Sequence, residues 1–209
     1  MTNKLSIVLY GAGGHGKVVA DAVEREGRFA IAGFLDDRAT GDCFGISVLG
    51  GRDLIPTLKG KGIDGAIVSI GAGDVRQSVQ RRLKEAGLGI VTICHPSAQV
   101  ARGVSIGEGT VLMPGAVVGP DAVVGEGCII NTSATVDHDC TIGAFTHIAP
   151  GAHLAGGVRI GAHTHIGIGS SVKEEVTIGS NVMIGAGSVV IDHLPDNCTA
   201  YGVPAKAQV

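Results

Sequence analysis

Residues 100–124 read VARGVSIGEGTVLMPGAVVGPDAVV, and an aliphatic side chain returns in them at every sixth place: Val100, Ile106, Leu112, Val118 and Val124. The series runs on without an insertion through Ile130, Val136, Ile142, Ile148, Leu154, Ile160, Ile166, Val172, Ile178 and Ile184 to Val190, sixteen positions of which none is polar. Four residues after most of them stands a small or β-branched side chain, such as Thr110, Ala116, Ala134 or Thr164, and eight of the sixteen are followed directly by Gly. A fixed period of this kind marks a solenoid. If each hexad is one short strand and a tight turn, three hexads close a triangular coil whose interior admits one large aliphatic and one small side chain per face. Glycine is expected where the chain turns. The pattern predicts a parallel β-helix of a little over five coils between about residues 100 and 195.

Composition agrees with a narrow interior: 35 Gly, no Trp, two Tyr and four Phe in 209 residues. The net charge of −3, with both signs interspersed, offers no basic field for nucleic acid. The chain starts with a polar stub, Met1 to Lys4, and has no aliphatic run near the ~20 residues that cross a bilayer, so a soluble, cytoplasmic protein without membrane contact is expected. The five cysteines (Cys43, Cys94, Cys128, Cys140, Cys198) form no CxxC pair, and Cys128 and Cys140 fall on the small inward position. They read as buried thiols.

Outward from the repeat, His95-Pro96 marks a boundary, giving domains 1–95 and 96–209. Leu5 to Tyr10 reads as a strand that enters Gly11-Ala12-Gly13-Gly14-His15-Gly16, followed by helical spacing from Lys17 to Glu26 through Val18, Val19, Ala22 and Val23. A second strand, Phe29 to Leu35, ends at Asp36-Asp37, which fits a dinucleotide fingerprint. Beyond it we expect a loop, a short helix near Leu54 to Lys59, a strand at Ala66 to Ile70, a helix at Asp74 to Ala86 and a strand at Ile90 to Cys94. That is a Rossmann-like half, too small for a dinucleotide, and no Tyr-x-x-x-Lys pair is present. The loop amides and helix N-terminus are therefore expected to hold the phosphates of a nucleotide serving as a handle on a substrate.

A coil filled with Val and Ile cannot react, so chemistry belongs to turns and outward positions. Asn131, Asp137, His138 and Asp139 stand in two adjacent hexads that lack the Gly after the aliphatic residue. Imidazole can take a proton near pH 7, which makes His138 the candidate general base, and a neighbouring carboxylate would stabilise the imidazolium. His147, His153 and His165 occupy the sixth place of their hexads, and the eighteen residues between His147 and His165 predict a stack on one face.

The repeat resembles the left-handed parallel β-helix of the hexapeptide acyltransferases. With Gly11 to Gly16, Leu35 to Asp37, Asn131 to Ser133, Val136 to Cys140 and Phe145 to His147 beside it, nearly the whole chain resembles the sialic-acid O-acetyltransferase and nucleotide-aminosugar N-acetyltransferase group. The tail Tyr201-Gly202-Val203-Pro204-Ala205-Lys206 resembles the Gly-x-Pro-Ala-Lys end that closes the coenzyme A end in that family. The resemblance implies a nucleotide-binding α/β domain followed by an all-β left-handed helix, a homotrimer, and acetyl-CoA held between subunits. It puts the base on His138 and its acidic neighbour on Asp139. Substrate contacts fall on Gly13, Gly14, His15, Asp36, Asp37 and Gly71, and acetyl-CoA contacts on His147 and Ile168. The γ-class carbonic anhydrases place zinc on this prism with two His four residues apart; the spacings here are 9, 6, 10 and 2, so no metal is expected. The resulting expectation is N-acetylation of a UDP- or GDP-linked 4-amino-dideoxysugar by direct attack. The alternatives are O-acetylation of a sialic-acid-like sugar and a non-catalytic trimeric scaffold that binds sugar nucleotide.

Overall fold

A computed structural model describes residues 4–208, and the polar stub at residues 1–3 lies outside them. The chain divides into two compact units, Met1–Pro96 and Ser97–Val209.

In the first unit, β1 (Leu5–Tyr10), β2 (Phe29–Leu35) and β5 (Gly65–Val68) are the parallel centre of a sheet ordered β3-β4-β2-β1-β5-β6, with β3 at Asp42–Cys43, β4 at Ile46–Gly50 and β6 at Gly89–Ile90. Helix α1 (Gly14–Glu26) buries Val19, Ala20, Ala22 and Val23; Val18, which has compatible spacing, faces outward at 40% exposure. The helix ends at Gly27, in the left-handed region at φ 74°, whose N–H bonds the Val23 carbonyl. The opposite face of the sheet packs Val8, Tyr10, Leu35, Ala66 and Val68 against Leu83 of α2 (Gly73–Glu85), against Ile55 of the 3-10 segment Arg52–Thr57, and against Leu58, which joins it to a second, Lys59–Lys61. Where the sequence suggested a loop after Asp37, β3 and β4 form a hairpin closed by Phe44 and Gly45, at φ 58° and 74°. A Phe in the left-handed region is not a usual turn signal, which hid the hairpin.

The second unit is a left-handed parallel β-helix. Its sixteen two-residue strands, from Gln99–Val100 to Val189–Val190, stack in three columns. Val118 pairs with Val100 on one side and Val136 on the other, eighteen residues each way. From Leu112 to Val190 every aliphatic repeat position is buried. Val100, 43% exposed, and half-buried Ile106 belong to the first coil, which has a neighbouring coil on one side only. The inward small residues also carry bonds: Thr110, Thr146 and Thr164 donate from Oγ1 to the carbonyl fifteen residues on, at 2.7–2.9 Å, joining each coil to the next.

Glycine has a different role from the one expected. The residue with positive φ is the third after each aliphatic from Val100 to Ile184, whether Gly103 and Gly115 or Asp121, Asp139, Phe145 and His163. The Gly directly after the aliphatic is needed because the next coil's corner presses on it; a Cβ at Gly119 would lie 2.7 Å from the His138 amide nitrogen. Two antiparallel strands, Thr199–Gly202 and Ala205–Gln208, follow the last coil. No helix among the described residues is long and apolar enough to cross a membrane.

Ile148→Ala removes a side chain with 0% exposure from a layer that cannot collapse without breaking the ladder. We expect a loss of about 2–5 kcal/mol, read as a lower urea midpoint at unchanged m.

Candidate active site

The Gly loop is shaped by contacts that come from three strands. The Gly11 amide bonds the Leu35 carbonyl, and buried Ser69 donates to the carbonyls of Tyr10 and Gly11 at 3.1 and 2.8 Å. Gly11 sits at φ 116°, and a Cβ at Gly16 would meet the Gly11 carbonyl oxygen at 2.2 Å, so the helix can start this close to β1 only with glycine there. Gly13 caps α1 without a side-chain bond, and a Cβ at Gly13, Gly14 or Gly71 would meet nothing within 4 Å. Gly13 and Gly14 thus leave room for an anion at the start of a thirteen-residue helix.

His15 is held neutral: burial, with a further contribution from the charge of Arg76, pushes its pKa down to about 4. Arg76, 1% exposed, was not singled out by the sequence; its Nη1 donates to the carbonyls of Ile70 and Gly71, both at 2.9 Å, and fixes the loop after β5. Nothing in a helix of otherwise soluble pattern marks one arginine as the buried one.

Asp36 and Asp37 stand at the end of β2, but their oxygens already have partners. Asp36 accepts from the amides of Ala12, Arg38 and Ala39 at 2.8–2.9 Å. Burial works to raise its pKa, and these three amides overcome that and hold it below the usual carboxylate range. Asp37 accepts from the Arg52 amide, from its Nε at 2.9 Å and from its Nη2. The Arg52 side chain lowers the Asp37 pKa to about 2, and burial together with the Asp37 bond raises that of Tyr10 to about 12. Above these groups, at the carboxyl ends of β1, β2 and β5, lies a cleft of about 590 Å³ whose other wall is the first three turns of α2.

In the second unit, His138 occupies the corner between Thr135–Val136 and Thr141–Ile142. Asp139, in the left-handed region at φ 58°, turns its carboxylate back onto the imidazole, and His138 Nδ1 lies 2.7 Å from Asp139 Oδ2. A carboxylate only accepts, so Nδ1 carries the proton and the Nε2 lone pair is left for chemistry. The pair is exposed, at 59% and 67%, and the bond to Asp139 raises the His138 pKa above its ordinary value. The ring lies flush against Gly156 of the next coil, where a Cβ would sit 2.5 Å from Nε2.

His147 stacks edge-on with His165 at 4.7 Å, eighteen residues on as the spacing required, and its Nε2 is 2.9 Å from the Asn131 amide nitrogen. His153 instead bonds Thr135 Oγ1 through Nδ1. Ile168, between Gly167 and Gly169, is 56% exposed. Cys128 and Cys140 point inward with exposures of 0% and 1% and donate to coil carbonyls; Cys43 is buried, while Cys94 and Cys198 are half-buried. Among the described residues no group of three His, Cys, Asp or Glu side chains is arranged around a metal position.

Residues 6–83 match the family description PglD N-terminal domain, and residues 103–138, 121–156 and 157–192 match bacterial transferase hexapeptide (six repeats). A histidine variant of perosamine N-acetyltransferase from Caulobacter crescentus, solved with CoA and GDP-perosamine, is 38% identical over 100% of this chain and 98% of its own, with a TM-score of 0.95. The acetyltransferase domain of PglB from Neisseria gonorrhoeae FA1090, in complex with acetyl coenzyme A, is 40% identical over 99% and 100%, with a TM-score of 0.94. A UDP-N-acetylbacillosamine N-acetyltransferase from Bacillus subtilis (strain 168) is 37% identical over 117 residues, which span 50% of this chain and 49% of that protein.

Replacing the acceptor that polarises the imidazole should be visible directly. In Asp139→Asn the His138 titration midpoint, followed by NMR of the ring protons, should fall toward the ordinary histidine value of about 6.5, with the other histidines unmoved.

Proposed function

Because the chain belongs to the nucleotide-aminosugar N-acetyltransferases among the hexapeptide-repeat acyltransferases, we propose that it transfers acetyl from acetyl-CoA to the amino group of a UDP- or GDP-linked 4-amino-dideoxysugar. The observation that carries the reaction is the His138–Asp139 bond of 2.7 Å, which leaves a basic Nε2 on an open corner. The first unit holds the nucleotide: the diphosphate lies on the amides of Gly13, Gly14 and His15, with Gly71 beside it, and Asp36 and Asp37 shape the cleft next to it. His15, neutral and half-buried, adds no charge of its own.

The co-substrate supplies an acetyl thioester. Exposed Ile168 and the imidazole of His147, steadied by Asn131, are the residues that would line its path on the prism. His138 Nε2 removes a proton from the sugar amine as nitrogen bonds to the acyl carbon. The C–S bond then breaks, and the imidazolium, stabilised by Asp139, returns the proton to the departing sulfur. Direct attack is favoured over an acyl-enzyme because the nearest thiol, Cys140, faces the interior, and burial pushes its pKa up. Two of the relatives described above are N-acetyltransferases, so O-acetylation of a sialic-acid-like sugar is not favoured. A binding scaffold would have no use for a polarised, exposed base.

Assembly as a homotrimer fits an active corner this open to solvent. Exposed Val117 and Val123, at 37% and 47%, supply apolar surface on two of the three columns, and a neighbouring prism would give the thioester its second wall. Sedimentation equilibrium should return three times the chain mass; a monomer at micromolar concentration would refute this assembly. We place the protein in the cytoplasm, where acetyl-CoA is available.

His138→Ala should lower kcat by about 10²- to 10⁴-fold, measured by thiol release, while KM for both substrates stays within a few-fold. The residual rate should climb with pH as more of the amine is free. A wild-type kcat in this variant across the pH range would assign the proton to another group.

A further inference from the structure

We propose that the cleft above β1, β2 and β5 selects guanine over uracil, with Asp74 and Ser78 of α2 reading the base, so that the acceptor is a GDP-linked amino sugar. The inference rests on the reading above that a nucleotide sugar occupies the first unit, and it names which one.

The two carboxylates at the end of β2 are poor readers of a base in this fold. Asp36 has three backbone amides on its two oxygens, and Asp37 is held by Arg52. Recognition then falls to the wall across the cleft. Helix α2 presents two adjacent strips there: Asp74, Ser78 and Arg82, spaced by four, and beside them Val75 and Val79. Val75 is 42% exposed, an apolar side chain turned into the cleft. A flat ring can lay one face on Val75, Val79 and Ile70 while its edge meets the polar strip.

The order of that strip is the discriminating feature. It runs from a pure acceptor, Asp74, through a hydroxyl that can donate, Ser78, to a pure donor, Arg82. Guanine offers two neighbouring donors, N1–H and the N2 amino group, followed by the O6 acceptor. The Asp74 carboxylate can take both donors at once, and O6 then faces Ser78 and Arg82. Uracil offers a single N–H flanked by two carbonyl oxygens. On the same strip one of those oxygens would face the carboxylate, leaving two acceptors in contact with no proton between them.

The test is calorimetric titration of GDP and of UDP into the full chain, for wild type, Asp74→Asn and Ser78→Ala, run beside acetyl-transfer assays with GDP- and UDP-linked 4-amino sugars. Wild type should bind GDP about ten- to a hundredfold more tightly than UDP. Asp74→Asn should bring the ratio close to one without weakening UDP, and Ser78→Ala should reduce it several-fold. Circular dichroism and an unchanged acetyl-CoA affinity check that both variants are folded. Equal or tighter binding of UDP by wild type would overturn the proposal, as would a GDP preference that survives Asp74→Asn. A GDP preference lost in Asp74→Asn, together with no thiol release from either sugar, would support guanine selection and instead refute the acetyltransferase reading.

Discussion

The second unit depends on one repeated hydrogen bond, from a backbone N–H to the carbonyl seventeen residues later, seen for example from Val117 to Ala134 and from Asp137 to Leu154. Coils joined this way lie one strand spacing apart, about 4.8 Å. The corners have to fit within that distance, and the sequence rules follow from it. The residue after each aliphatic shrinks to Gly where a neighbouring corner presses on it, the third residue adopts positive φ, and the inward partner is small enough to share the interior with Val or Ile. The corner that carries His138 uses the same tolerances. Gly119 on one side and Gly156 on the other give His138 its room, and the conformation that turns the chain also aims Asp139 at its ring.

Two histidines of the candidate site are driven in opposite directions by their surroundings. His15 loses its charge to burial and to a buried arginine. His138, on an open corner beside two carboxylates, is biased toward taking a proton. Local burial and local charge thus give the same side chain two opposite proton affinities.

The prism was legible because its period is a backbone property: sixteen aliphatic positions in phase could mean little else, and β1 and β2 were equally plain from strand, Gly loop and acidic end. What stayed hidden depends on three-dimensional contact. The β3–β4 hairpin turns on a Phe in an unusual conformation. The Gly after each aliphatic looks like a turn residue and is in fact a contact residue, a distinction that only the neighbouring coil makes. At the candidate site, the proximity of Asp139 to His138 could be anticipated from adjacency. That Asp36 also binds the Ala12 amide could not, because that partner lies twenty-four residues away; nor could the burial of Arg76 under the loop after β5, because helical spacing does not say which arginine the neighbouring loop covers.

Because three hexads make one coil, the prism converts chain length into direction. Inserting or deleting eighteen residues beyond the His138 corner would add or remove a storey and leave each later side chain on its own face. A change of six would rotate everything downstream by a third of a turn, so that His147 and His165 no longer shared a column with Asn131. A change that is not a multiple of six would bring polar outward residues into the core. The unbroken phase from Val100 to Val190 is therefore a record of which length changes this scaffold can accept, and it makes whole coils the natural unit for lengthening or shortening the protein while keeping its working face aligned.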